Sequence, residues 1–227
     1  VDIGPETRIG PHVMIGPHTR IGARNTIYQF CSVGEAPQDK KYAGEPTRLE
    51  IGDDNTVREF CTFNRGTVQD GGVTRVGNRN WIMAYVHVAH DCQIGNHVIF
   101  ANSTQLAGHV HVGDWVILGG FTGVHQFVRI GAHGMTSVSS VLLQDMPPYV
   151  MAAGSPAQPR SINPEGLKRR GFSPDAIAAI RRAFKTLYKK GLSFEEASTA
   201  IAAEALTVPE LAVLANFLAQ PGRGIIR

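Results

Sequence analysis

The sequence lacks any apolar segment long enough to cross a membrane. A spanning helix needs ~20 predominantly apolar residues, and polar residues, glycines or prolines interrupt every apolar stretch well before that length. No secretory signal peptide is visible either. We therefore expect no stable membrane insertion.

Strong charge and paired cysteines are also lacking. The net charge is only +3, from 22 basic and 19 acidic residues, which does not indicate a nucleic-acid partner. Three cysteines are an odd number and do not suggest a disulfide framework. Cys31, Cys61 and Cys92 fall on an inward phase of the repeat described next, so we interpret them as reduced packing residues of a cytoplasmic protein. A catalytic thiol is the alternative.

A strict six-residue period dominates the chain. An apolar residue returns at every sixth position from Val76, and a second small or branched residue follows each of them by four. Neither a helix nor a simple strand keeps phase with a period of six. A hexapeptide period indicates a parallel β-helix, in which three hexads form one coil. Residues eighteen apart should then stack at roughly 4.8 Å. The apolar positions are Val76, Ile82, Val88, Ile94, Phe100, Leu106, Val112, Leu118, Val124 and Ile130.

Two segments interrupt the hexads. Residues 35–50 are polar and contain two prolines, and residues 64–75 contain Gly71 and Gly72. In a solenoid, such loops usually carry binding groups, although a neutral surface insertion is the alternative. The hexads begin at Ile3, with Val1 already at the fifth position of an earlier hexad, so we expect further coils to precede this sequence.

The period is lost after about Leu142, and helix-forming residues follow a proline-rich exit. We predict a β-helix domain over residues 1–155 and a small helical domain over 156–227. Ser173 before Pro174 predicts the start of a helix that runs to about Lys190. A capping box and a Thr–Glu pair predict two further helices, which begin at the following residues: Ser193 (with Glu196) and Thr207 (with Glu210).

Basic residues are concentrated in the predicted helical domain. They form either a solvated helix face or a site for phosphate groups or an acidic partner protein. The cluster comprises Lys168, Arg169, Arg170, Arg181, Arg182, Lys185, Lys189 and Lys190.

Nine histidines are many for a chain of this length. In the predicted stack, His90, Gly108 and Gln126 share one column, because they are eighteen residues apart. A convergent patch of this kind is a candidate site. The histidines that fall within a few coils of this column are His87, His90, His109, His111 and His125.

The pair His90–Asp91 is typical of a general base. A neighbouring carboxylate fixes the imidazole tautomer and supports the positive charge that forms when the imidazole takes a proton. Gly108 allows a backbone N–H to approach a developing oxyanion closely. No Gly-x-Ser-x-Gly motif is present, so direct transfer driven by a base is the simplest interpretation. Cofactors are not needed for such a transfer.

A metal site is the competing interpretation, because histidines on β-helix coils can bind zinc. The γ-class carbonic anhydrases share the repeat, and their ligands resemble one histidine followed later by a His-x-x-x-x-His pair. Here His87 and His90 precede His125, but Ile130 stands where the last ligand would be. We therefore predict no metal.

Several blocks together resemble one family. They are GEAPQDKKYAGEPTRLEIGD, EFCTFNRGT, VHVAHDCQIGNHVIFAN, LAGHVHVGDW, GVHQFVRIGAH, DMPPYV and NPEGLKRRGFS. The chain resembles the UDP-N-acetylglucosamine O-acyltransferase family, which begins lipid A synthesis in Gram-negative bacteria. The resemblance implies a left-handed β-helix, a homotrimer with active sites between subunits, and transfer of a 3-hydroxyacyl chain from acyl carrier protein to the 3-hydroxyl of the sugar nucleotide.

The resemblance also implies roles for individual residues. His90 would be the general base, Asp91 would orient it, and the N–H of Gly108 would stabilise the oxyanion. Val138 would limit the length of the acyl chain, because it would narrow a groove that glycine leaves open. The implied substrate-binding residues are Asp39 and Lys41 on the first loop, His87, His109, His125 and Gln126 at the sugar and diphosphate, and Asn163, Glu165, Arg169 and Arg170 at the uridine and phosphates.

Two other functions stay open at this level. A related hexapeptide acyltransferase could act on an amino-sugar acceptor and form an amide. A non-catalytic β-helix, such as a scaffold or an ice-binding protein, would need regular threonine columns, and the outward columns here are irregular.

Overall fold

The computed structural model describes residues 1–227 and consists of a three-sided parallel β-helix followed by a helical tail. The strands are β1 Asp2–Ile3, β2 Arg8–Ile9, β3 Met14–Ile15, β4 Thr19–Ile21, β5 Thr26–Ile27, β6 Ser32–Glu35, β7 Arg48–Ile51, β8 Thr56–Val57, β9 Thr62–Asn64, β10 Val73–Val76, β11 Trp81–Ile82, β12 His87–Val88, β13 Gln93–Ile94, β14 Ile99–Phe100, β15 Gln105–Leu106, β16 His111–Val112, β17 Ile117–Leu118, β18 Gly123–Val124, β19 Arg129–Ile130, β20 Met135–Thr136, β21 Val141–Leu142, β22 Val150–Ala153 and β23 Gln158–Ile162. The helices are α1 Pro164–Arg169, α2 Pro174–Tyr188, α3 Phe194–Ala205 and α4 Ala212–Ala219, with 3₁₀ turns at Val68–Asp70 and Pro209–Leu211.

Every third strand of the β-helix belongs to the same sheet. Sheet 1 starts with β1, sheet 2 with β2 and sheet 3 with β3. Strands pair in parallel with their neighbours one coil away, so that His87 lies opposite Gln105 and Gln105 opposite Gly123. The predicted stacking of residues eighteen apart is therefore confirmed.

The interior of the β-helix is filled by the two inward positions of each hexad. All ten apolar positions predicted from Val76 to Ile130 are buried, with at most 4% of each residue exposed. The residues at the second inward position are also buried, and the three free cysteines are among them. Burial raises the pKa of the Cys92 thiol to about 12, so this thiol stays protonated at neutral pH and acts as a packing group.

The corners between sheets use left-handed backbone at every sixth residue. His97, Trp115 and His133 have φ angles of 56°, 63° and 61°, in a region that non-glycine residues seldom occupy. Hydrogen bonds between coils stabilise these corners. In one buried ladder, the side-chain oxygen of Asn25 accepts from the Asn55 amide N–H, and that of Asn55 accepts from the Asn80 N–H.

The coil ends in an antiparallel hairpin of β22 and β23 that extends sheet 2. The predicted domain boundary at residue 155 lies inside this hairpin. The first predicted helix is confirmed as α2, where the Ser173 hydroxyl accepts from the Ala176 N–H. The Ser193–Glu196 capping box of α3 is confirmed as well.

The end of the tail differs from the prediction. The third predicted helix begins as a 3₁₀ turn at Pro209–Leu211 and continues as α4, because Pro209 fixes a tight first turn. The short α1 was not predicted. None of the helices combines the length and apolar character needed to cross a membrane.

Candidate active site

The corner between sheet 3 and sheet 1 brings together His90, Asp91 and His109, and we call it the histidine corner. Both loops leave the β-helix here, the first between β6 and β7 and the second between β9 and β10. On the next coil, His90 and Asp91 follow β12. Gly108 and Gln126 occupy the equivalent position on the following two coils, as the register requires.

The imidazole of His90 lies directly against Gly108. A Cβ atom at position 108 would be 2.5 Å from Cε1 of His90 and 2.7 Å from its Nε2. Real Cβ atoms do not approach this closely, so the position requires glycine for space. The Gly108 N–H donates to no backbone carbonyl. This corner therefore combines a close imidazole with a backbone donor that the fold leaves unused.

Asp91 fixes the tautomer of His90. Nδ1 of His90 lies 2.9 Å from Oδ2 of Asp91, and the carboxylate is fully buried. Burial would raise the pKa of Asp91, but hydrogen bonds from His90 and Thr67 outweigh it and lower that pKa below its ordinary value. An ionised carboxylate can only accept, so Nδ1 carries the proton and Nε2 of His90 is left as the acceptor.

A second imidazole lies at a right angle to the first. The rings of His90 and His109 have centroids 5.0 Å apart and an interplanar angle of 88°. His109 stacks on Phe127 at 4.3 Å, and its Nδ1 lies 2.8 Å from Oδ2 of Asp70. Ring stacking and the contact with Asp70 thus hold His109 in one orientation.

These groups line a groove with a volume of about 770 Å³. The first loop forms one wall and brings Asp39 and Lys41 to the same space as His90. The second loop forms another wall. The residues that line the groove are Gln38, Asp39, Lys40, Lys41, Thr67, Gln69, Asp70, His90, His109, Gln126 and Phe127.

Three histidines of the predicted patch lie outside the lining. His87 is half-buried, and its Nδ1 lies 2.6 Å from Oγ1 of Thr62. Burial together with nearby His90 lowers its pKa. His125 is exposed. His111 belongs to a separate cavity of about 740 Å³ on sheet 1, beneath α4.

Arg170, one of the predicted uridine and phosphate residues, lies at the corner between sheet 1 and sheet 2, which we call the aromatic corner. The stacked rings of this corner are His97, Trp115 and His133. The Arg170 guanidinium lies 5.4 Å from the Trp115 ring, and its Nη1 lies 3.2 Å from Nδ1 of His133. Burial and the nearby arginine lower the pKa of His133 to about 4, so neutral His133 can accept from Arg170.

The remaining residues of this set lie on α1 or just before it. Asn163 caps the helix by accepting from the Gly166 N–H at 3.0 Å, while Glu165 and Arg169 are exposed. Within one chain, the structure does not bring these residues to the groove that contains His90.

Sequence reasoning missed Thr67, Asp70 and Phe127. Thr67 and Asp70 belong to the second interruption of the hexads, where the repeat predicts no role for individual residues. Phe127 directly follows Gln126 and could have been found from the stacking rule, because it lies eighteen residues after His109.

Three groups at this corner could in principle hold a metal ion. Ligand atoms of His90, Asp91 and His109 lie within 4.8 Å of one another. However, Nδ1 of His90 and Oδ2 of Asp91 already bind each other, and a metal would have to replace that contact. The arrangement therefore favours proton transfer through the free Nε2 of His90.

A β-helix of hexads that carries an imidazole–carboxylate pair over a glycine, beside an open groove, defines a hexapeptide-repeat transferase. The bacterial transferase hexapeptide family model matches residues 74–107, and the model described as UDP N-acetylglucosamine O-acyltransferase, domain 2, matches residues 145–226. The chain belongs to the UDP-N-acetylglucosamine O-acyltransferase family.

Its relatives are similar over most of their length. The acyl-[acyl-carrier-protein]–UDP-N-acetylglucosamine O-acyltransferase of Thiobacillus denitrificans is 64% identical over 204 residues, which cover 90% of this chain and 79% of that protein. The enzyme of the same description from Janthinobacterium is 60% identical, over 90% of this chain and 80% of that protein. These similarities decide against a non-catalytic scaffold.

Solved structures agree with the fold. LpxA from Acinetobacter baumannii matches with a TM-score of 0.96 and 48% identity, over 99% of this chain and 88% of that one. The UDP-N-acetylglucosamine acyltransferase of Francisella novicida matches with a TM-score of 0.97 and 42% identity, over 99% and 83%. These matches confirm the predicted left-handed β-helix.

Proposed function

We propose that this enzyme transfers a 3-hydroxyacyl chain from acyl carrier protein to the 3-hydroxyl of UDP-N-acetylglucosamine, the first step of lipid A synthesis, with His90 as the general base. The observation that supports this role is the contact of His90 with both Asp91 and Gly108 at the edge of the groove. The names of the relatives give the donor and the acceptor.

In the proposed mechanism, Nε2 of His90 accepts the proton of the sugar hydroxyl as its oxygen attacks the thioester carbonyl carbon. The carbonyl oxygen becomes an oxyanion and accepts a hydrogen bond from the Gly108 N–H. When the C–S bond breaks, His90 returns the proton to the leaving sulfur. Asp91 stabilises the imidazolium between these steps, and a base of this kind typically contributes ~10²–10⁴ in rate.

The groove residues then bind substrate. Asp39 and Lys41 contact the sugar and the incoming acyl group, which is supported by their place in the lining of the groove that contains His90. His109 and Gln126 line the sugar site directly. His87 and His125 do not line the groove, and in this proposal they contact or orient the diphosphate.

A homotrimer accounts for the position of the uridine and phosphate residues. Arg170 lies at the aromatic corner, and Asn163, Glu165 and Arg169 lie in or just before α1. None of these residues lines the groove that contains His90 of the same chain. In a closed ring of three subunits, the aromatic corner of one can face the histidine corner of the next. The mass in solution would then be three times the 24.5 kDa of one chain.

The exposed basic residues of the tail are the proposed contact for the acidic carrier protein. Lys168, Arg181 and Lys185 are all exposed, and cationic side chains attract an acidic partner at long range. Three unpaired buried cysteines support a reducing, cytoplasmic location.

The decisive experiment compares His90→Ala with wild type, using hydroxyacyl carrier protein and UDP-N-acetylglucosamine. We expect kcat to fall by ~10²–10⁴ with unchanged thermal unfolding. His18→Ala is the control, because His18 is an exposed histidine near the start of the chain. Retained turnover in His90→Ala would contradict the mechanism. A 3-amino analogue of the acceptor, assayed in parallel, distinguishes ester from amide formation.

A further inference from the structure

The second loop contains a buried residue for which the proposed mechanism has no role. Thr67 is only 2% exposed and stands immediately before the 3₁₀ turn Val68–Asp70. Both of its hydrogen-bond donors are directed at one carboxylate. Its N–H donates to Oδ1 of Asp91 at 2.8 Å, and its hydroxyl donates to Oδ2 at 2.6 Å.

These two bonds determine how Asp91 meets His90. Oδ2 is shared between the Thr67 hydroxyl at 2.6 Å and Nδ1 of His90 at 2.9 Å. Because Thr67 binds both oxygens, it fixes the rotation of the carboxylate plane. It also withdraws part of the negative charge that Oδ2 would otherwise direct at the imidazole.

The second loop is itself held firmly at this point. A Cβ at Gly66 would lie 2.7 Å from Oδ1 of Asp91, so the loop backbone passes directly beside the carboxylate. Arg65, just before it, donates to the Gly34 carbonyl at 2.6 Å and to the Tyr42 hydroxyl at 3.1 Å. The segment that holds Asp91 is therefore also fastened to the first loop.

We infer that Thr67 is a positioning residue for the reaction, which acts through Asp91 on the orientation and proton affinity of His90. This inference rests on the proposed role of His90 as the base. Thr67 lines the groove, but its N–H and hydroxyl donate to Asp91 and not to His90, so its effect on the imidazole passes through the carboxylate.

Thr67→Val removes the hydroxyl bond and keeps the shape of the side chain and the backbone N–H. Oδ2 of Asp91 then interacts with His90 alone and favours its protonated form more strongly. A general base must be deprotonated to act, so the acid limb of the pH profile of kcat/KM should move to higher pH, and kcat should fall about tenfold because the imidazole is less well held.

Other titratable groups surround this pair, and the substitution leaves all of them in place. Nδ1 of His109 lies 3.8 Å from Oδ2 of Asp91. Its electrostatic effect on Asp91 is therefore the same in every variant. The groups that face the pair from neighbouring elements and across the groove are His87, His109, Asp70, Asp39, Lys40 and Lys41.

The test compares Thr67→Val, Thr67→Ser and His90→Ala by full pH profiles and thermal unfolding. We expect Thr67→Val to lower kcat and move the acid limb by about half a pH unit, while Thr67→Ser, which keeps the hydroxyl, behaves as wild type. An unmoved acid limb in Thr67→Val would overturn the inference, even with lower activity, because a purely structural role predicts that result. Activity in His90→Ala would instead overturn the proposed function.

Discussion

Two corners of the same β-helix share the left-handed backbone of the repeat but differ in their side chains. At the histidine corner, Gly108 leaves space that the His90 ring occupies, and a groove stays open beside it. At the aromatic corner, His97 and Trp115 stack at 3.9 Å, and the helical tail covers the column through Arg170. The repeat therefore provides the same backbone at each corner, and the residues at its positions decide whether the corner leaves an open groove or is covered.

The difference has a simple physical cause. At both corners rings stack on successive coils, as His97 and Trp115 do at one and His109 and Phe127 at the other. The histidine corner differs in the neighbouring column, where Gly108 carries no side chain and leaves one layer open to the ring of His90. At the histidine corner, loop residues fill part of the resulting space and leave the remainder as the groove. Reactivity at a corner therefore requires one small residue in the column as well as the imidazole.

Among the substitutions that test this difference between the corners, we expect Gly108→Ala to have the largest effect on activity. The new Cβ would meet His90 at 2.5 Å from Cε1, so the ring must move. A displacement of ~1 Å can cost about 10²-fold in rate, and we expect a loss of at least that order in kcat. Steady-state kinetics with both substrates measure it.

Gly123→Ala is the matched control for Gly108→Ala. Gly123 is on the coil that follows Gly108, and nothing lies within 4 Å of a Cβ added there. The control should keep wild-type activity. Equal activity of the two variants would show that the space at Gly108 is not required for the reaction.

A second experiment asks whether the two corners meet between subunits. His90→Ala and Arg170→Ala should each be nearly inactive alone. Coexpressed in equal amounts, a ring of three subunits would place intact His90 opposite intact Arg170 at about one quarter of the sites, if assembly is random. Recovery of that fraction of wild-type activity is the expected result.

The measurement requires purification of mixed oligomers through a different tag on each variant. Absence of recovery, despite proven mixing, would mean that both corners serve one site within a single chain or that Arg170 does not bind substrate.

The smallest expected effect concerns the third corner, between sheet 2 and sheet 3. Val138 is 65% exposed there, and the register stacks it above Gly120. Val138→Gly should shift preference toward longer acyl donors, since each additional buried methylene contributes ~0.8 kcal/mol. The ratio of kcat/KM for a longer and a shorter donor measures the shift, and Val138→Ala should lie between the two. An unchanged ratio would remove Val138 from chain-length selection.

The coil could be predicted closely from the sequence because its period fixes the register. Once residues eighteen apart are vertical neighbours, the column of His90, Gly108 and Gln126 follows from counting. The contacts of Thr67 and Asp70 could not be obtained in this way, because a loop that leaves the repeat has no register to count from. The short α1 could not be predicted for a related reason: six residues are too few to show a helical period.

The two loops leave the β-helix on adjacent coils at one corner, immediately before the coil that carries His90. A change in the length or composition of either loop would alter the walls of the groove without disturbing the stacked strands beneath. New acceptor preferences could thus arise by insertion and deletion in two short stretches, while the proton-transfer apparatus is inherited intact from the repeat.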